Sequence, residues 1–130
     1  MPADYRIDRA KGVVFSRAWG PVSKQEMRDY GRRLRADPDF RPELKQLWDL
    51  TAITRTSLDY TELTALAQTR TFAPDSRRAI LAPHDLAFGM ARMLQAVREK
   101  AGETNIRVFR TWPEALRWLE LGEEPARPPV

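Results

Sequence analysis

Ala79, Ile80, Leu81 and Ala82 form an apolar run without alternation, closed by Pro83. Such a run suits a fully buried strand in the interior of a parallel sheet, covered on both faces. Behind it the rhythm changes to that of a helix. Asp85 is placed to cap it, and Leu86, Met90, Met93, Leu94 and Val97 recur at helical spacing as its core stripe. Gly89 interrupts that helix at a cost of about 1 kcal/mol against alanine, a cost expected to be offset by close helix–sheet packing or by a ligand.

The same reading extends over the rest of the chain. Tyr5 and Ile7 alternate with Asp4, Arg6 and Asp8, the period-two pattern of an edge strand. After a turn at Ala10-Lys11-Gly12, Val13 to Phe15 open a second strand running towards Trp19, and the short link predicts an antiparallel hairpin. Gly20-Pro21-Val22 reads as the end of that strand. Ser23 and Glu26 form a capping box for a helix to about Ala36 with Met27, Tyr30, Gly31 and Leu34 inward. Leu44 to Leu50 is predicted as a third strand, Thr51 to Leu58 as a polar loop, and Asp59 with Glu62 as a capping box for a helix to about Arg70. A fifth strand covers Asn105 to Arg110. Thr111 and Glu114, with Pro113 in the first turn, start a last helix packed through Ala115, Leu116, Leu119 and Trp118.

Strands and helices that alternate in this way predict an α/β domain with a mostly parallel five-stranded sheet, an antiparallel N-terminal edge strand and about four helices. One domain is expected over residues 1–121. The tail from Gly122 to Val130, with three prolines, is expected to be disordered.

These pieces, taken in order, resemble a known family. They are the N-terminal hairpin, Gly20 before a capping box, Asp37-Pro38 with Phe40, Trp48-Asp49 at the end of strand three, Ala79-Ile80, Gly89 with Arg92-Met93, and Val108-Phe109 followed by Glu114-Ala115 and Trp118-Leu119. The chain resembles the SpoIIAA-like family, also called the STAS/SEC14-like domain, over about residues 4–121. The resemblance implies a STAS-like fold related to anti-sigma-factor antagonists and to the lipid-cradling lobe of SEC14 proteins, with no established enzymatic activity. Anti-sigma-factor antagonists carry an Asp-Ser-Ser-Gly-Leu-like motif whose serine is phosphorylated. Thr56-Ser57-Leu58-Asp59-Tyr60 stands in its place, so the motif is absent and Ser57 is assigned to the turn or helix cap.

Composition narrows the chemistry. Hydrophobic residues at 42% and charged residues at 31% describe a globular chain rather than a disordered one. The absence of cysteine excludes disulfides, zinc-thiolate sites and cysteine nucleophiles. No apolar stretch approaches the roughly 20 residues of a membrane span, and the charged N-terminus lacks the apolar core of a signal peptide, so a cytoplasmic protein is expected. The 22 basic and 18 acidic residues are interspersed, and the aromatics do not interleave with the basic ones as in a single-strand binder; no nucleic-acid partner is expected. Arg28, Arg32 and Arg35 share one helix face, which is either an anion-attracting ridge or a solvated surface.

Ligands of open α/β sheets sit beyond the carboxyl ends of the strands. The candidate rim there comprises Trp19, Asp49, Thr51, Ser57, His84, Asp85 and Trp112, with Pro83 and Arg110 nearby. His84 is the one histidine, so a multi-histidine metal site is not available. No Gly-x-Ser-x-Gly elbow supports a triad of Ser57, His84 and an aspartate, and there is no phosphate loop or dinucleotide fingerprint. No catalytic residue, metal or cofactor is therefore expected.

The leading expectation is a non-enzymatic binding or regulatory module acting through protein contacts or a small amphipathic ligand at the rim. The alternative is a lipid or amphiphile carrier with a pocket beneath the third helix, using Met90, Met93 and the gap over Gly89. Apolar residues spread around that helix also suggest a homodimer, with Phe88 at the contact.

Overall fold

The computed structural model describes residues 3–122. The tail expected to be disordered lies, beyond Gly122, outside the described residues. The strands are β1 (Ala3–Asp8), β2 (Val13–Val22), β3 (Lys45–Thr56), β4 (Arg78–Leu81) and β5 (Ile106–Phe109). The helices are α1 (Lys24–Ala36), α2 (Tyr60–Ala67), α3 (Asp85–Lys100) and α4 (Trp112–Trp118).

The strands lie side by side in chain order, β1-β2-β3-β4-β5, with β1 antiparallel to β2 and every later pair parallel. Parallel crossovers are right-handed, so a sheet that always grows in one direction places α1, α2 and α3 on the same face. Period-two alternation then sorts the strand side chains between two cores. Val14, Trp48, Leu50, Ile80 and Ile106 pack under those three helices. Val13, Phe15, Leu47, Ala79 and Leu81 face the opposite way and are covered by Ala115, Leu116 and Leu119 on and just after α4. β4 is buried along its whole length between β3 and β5, and β1 is an edge, as the hydrophobic pattern predicts.

The structure corrects several element boundaries. Gly20-Pro21 does not end β2. Gly20 takes φ +65°, and the register shifts between Gly20 and Pro21, so the dipeptide is a β-bulge inside a strand that continues to Val22. β3 likewise runs through the stretch read as a loop, to Thr56, because the prolonged β2 supplies its partner: Gly20 pairs with Ile53 and Val22 with Thr56. α2 stops at Ala67 rather than Arg70, its last turn tightened by bonds from Gln68 N to Ala65 O and Thr69 N to Leu66 O. The cap of α3 is His84, not Asp85, and the inward face of that helix is Ala87, Met90, Ala91 and Val97. Leu86, expected in the core, is 41% exposed.

Candidate functional site

Several residues of the strand-end rim are held by contacts within the chain. β2 and β3 overrun β4, whose last ladder partner is Leu81 opposite Asp49. Asp49 and Thr51 therefore lie inside β3 rather than at its end. They flank a register shift, where Arg17 pairs with Asp49 but Trp19 with Ala52. The Asp49 carboxylate accepts from the Thr51 amide at 2.9 Å, satisfying a donor at the bulge. His84 Nδ1 accepts from the Ala87 amide at 3.3 Å, which leaves the ring proton on Nε2 to donate to the Thr51 carbonyl at 3.1 Å. That imidazole thus fastens the overrunning part of β3 to the start of α3.

The other rim residues each contact neighbours within the chain. Trp112 stacks on Phe15 at 6.4 Å between centroids, and the Arg17 guanidinium lies 5.3 Å from the Trp19 ring. Asp85 is exposed and meets Arg110 at 3.3 Å. Ser57 is exposed, and its backbone N–H continues the ladder to Val22 O. The turn is held instead by Thr56 Oγ1, which accepts from Leu58 N at 2.9 Å, and the helix cap is Asp59. Among the described residues no three or more His, Asp or Glu side chains group to hold a metal.

The surface of α3 also differs from expectation. Gly89 is exposed, and a Cβ built on it meets nothing within 4 Å, so tight packing within the chain does not explain it. Phe88 is half-buried against the core, with the Arg110 guanidinium 4.0 Å from its ring centroid, so this side of the helix is covered from within the chain. Met93 packs against the same core, whereas Met90 reaches a cavity.

That cavity, of about 270 Å³, lies between the sheet and the layer of α1, α2 and α3. Its walls include Ala18, Trp48, Leu50 and Ile80 from the sheet, Met27 and Gly31 from α1, Leu63, Ala65 and Leu66 from α2, and Met90 and Leu94 from α3. Gly31 matters here: a Cβ at this position would sit 2.9 Å from Arg35 Nη1, so the missing side chain lets Arg35 fold back over the helix. Arg35 then reaches Thr71 Oγ1 at 2.9 Å, linking α1 to the segment after α2.

The cavity also has polar lining. Gln46 Nε2 donates to Tyr30 OH at 3.0 Å and Ser16 Oγ at 3.2 Å, and those two hydroxyls bond each other. Burial, the dominant cause, pushes the Tyr30 hydroxyl pKa well above its ordinary value, so it acts as a neutral donor. Arg78 is 6% exposed and forms a buried ion pair with Glu103, which is 1% exposed; Arg98 shares that carboxylate at 3.1 Å. Desolvation pulls the Arg78 pKa down and the Glu103 charge partly offsets it, but a guanidinium stays protonated under ordinary conditions. Arg78 Nε has no hydrogen-bond partner among the described residues.

The sequence reading placed a pocket beneath α3 and named Met90, which lines this cavity, but missed its polar end. Its signals were the Arg28, Arg32 and Arg35 face, all three of which line the cavity, and two polar residues, Gln46 and Arg78, at inward positions of otherwise apolar strands.

A mixed sheet with an antiparallel edge strand and helices stacked mainly on one face defines the class, an α/β domain. More particularly, the protein has a SpoIIAA-like fold. The crystal structure of an uncharacterized protein from the DUF3478 family with a SpoIIAA-like fold, from Shewanella loihica PV-4, matches it with a TM-score of 0.60 over 90% of this chain and 93% of that one, at 19% sequence identity. No protein-family model matches the chain, and no curated protein does.

Proposed function

We propose that this protein is a non-enzymatic binding module whose ligand places an apolar body in the cavity beneath α1, α2 and α3. One observation carries this reading: about 270 Å³ of space walled by Trp48, Leu50, Ile80, Leu63 and Met90. Close-packed interiors leave few voids larger than a water molecule, and ligand sites are concave and mostly apolar. The reading joins the carrier alternative to the SpoIIAA-like fold and moves the ligand from the rim to the helix layer. Native mass spectrometry of freshly purified protein, with decanol titration followed by intrinsic fluorescence, tests it. A co-purified small molecule or a saturable decanol response is expected, and Ala65→Phe, which fills part of the space, should weaken it. Protein that carries nothing and does not respond to decanol would rule the reading out.

A second reading, regulation through protein contacts, is favoured by Tyr60 and Leu86. They are 50% and 41% exposed, the large apolar side chains most open to solvent among the described residues, and they stand in the first turns of α2 and α3. Molar mass from light scattering shows whether such a contact is made with a second copy.

A further inference from the structure

The cavity is polarised from end to end. Gln46, Arg78 and Ile106 stand level across β3, β4 and β5, and two residues further along Trp48, Ile80 and Val108 stand level, with Leu50 beyond. The polar floor therefore lies at the amino-terminal ends of the strands and the apolar floor towards their carboxyl ends. The helices return antiparallel to the strands, so α1 sets Met27, with the exposed Arg28 beside it, over the apolar floor and Arg35 over the polar one, and α3 sets Met90 and Arg98 likewise.

Three guanidiniums are gathered there by one short segment after α2. Arg98 Nη1 donates to Thr69 O at 3.3 Å, Arg35 Nη1 to Thr71 Oγ1 at 2.9 Å, and Arg78 lies 5.3 Å from the centroid of the Phe72 ring. Glu103 is the carboxylate among them, and among the described residues its ion pairs are with Arg78 and Arg98. Among the described residues no Asp or Glu lines the cavity. This end holds positive charge in excess and a buried Arg78 Nε–H that no described residue accepts, and buried donors left unpaired are unfavourable.

Building on the cavity reading above, we propose that the ligand is an anionic amphiphile, a carboxylic acid whose head is held by Arg35 and Arg78 and whose hydrocarbon body lies along Trp48, Ile80 and Leu50. A cavity of about 150 Å³ holds benzene. By proportion the space here takes a body of roughly ten carbons. The carboxylate displaces Thr71 from Arg35 to gain a charge-assisted bond, and it lies in the field of the Arg78 guanidinium, which also lines the cavity.

The test compares sodium decanoate, decanol and sodium acetate by calorimetric titration at neutral pH. Decanoate is expected to bind at least about tenfold more tightly than decanol, the equivalent of about 1.4 kcal/mol, and acetate far more weakly than either. Arg35→Met, an exposed and fold-tolerant change, should lower decanoate affinity about tenfold and narrow its lead over decanol, with partial recovery in Arg35→Lys. Arg117→Met on α4 serves as the remote control. Equal affinity for decanoate and decanol would overturn the acidic-head assignment while leaving the cavity reading intact. Failure of both to bind would overturn both, and acetate binding as tightly as decanoate would reduce the site to a surface anion contact.

Discussion

Gly89 shows how far a single residue can mislead. A glycine in the second turn of a helix suggests that something presses against it, yet this one faces solvent with open space where a side chain would be. Its effect is then purely conformational, and Gly89→Ala is expected to raise stability by about 0.5–1 kcal/mol, read as a higher urea midpoint with unchanged slope. An unchanged or lower midpoint would mean that this face of α3 is occupied. Gly31, less conspicuous in the sequence, is the helical glycine whose open side is taken up, by the Arg35 guanidinium. Both glycines follow the same local pattern in the chain; only the neighbours brought by the fold tell them apart.

At the scale of elements, the buried β4 and the starts of α1, α2 and α4 were legible because caps and periodicity are local signals. Ser23, Asp59 and Thr111 each accept from the backbone N–H three residues on, as their spacing predicts. Strand ends were not legible: whether Gly20-Pro21 breaks a strand or bulges within it depends on a partner strand far along the chain. One link between elements has a pH signature. Tyr5 OH on β1 donates to Asp37 Oδ2 at 2.6 Å, just past the end of α1. That bond, followed by one from the Asp39 amide, holds the Asp37 carboxyl below the usual carboxylate range. A depressed folded pKa stabilises above the unfolded value of about 3.9. The contribution is lost as the pH falls through the lower folded value. Tyr5→Phe is therefore expected to lower stability near neutrality and to flatten the acid limb of a stability–pH curve. A curve parallel to wild type from pH 6 down to about pH 2 would show the link to be idle. On the alkaline side, burial and the same aspartate push the Tyr5 hydroxyl to about 12, so the donor persists well above neutrality.

Across the whole molecule, the topology offers no switch-point crevice at the strand ends. Ligand crevices form where strand order reverses, and here the order never reverses. The room lies instead between the sheet and the helix layer, where no residue pattern distinguishes a filled interface from a hollow one. Glu103, between α3 and β5, joins α3 to β4 through Arg98 and Arg78. Glu103→Gln leaves buried guanidiniums without their counter-charge and is expected to cost about 3–5 kcal/mol, measured by urea unfolding; a loss under about 1 kcal/mol would mean that water reaches the pair. The unreversed strand order also bears on how the chain is made. Each strand leaves the ribosome next in turn to the one it will lie beside, so the sheet can lengthen during translation without waiting for a distant partner. The face bearing Val13, Phe15, Leu47, Ala79 and Leu81 gains its cover only when α4 emerges. Until then the nascent protein shows an apolar surface to the cell, and that interval is when a chaperone has something to hold.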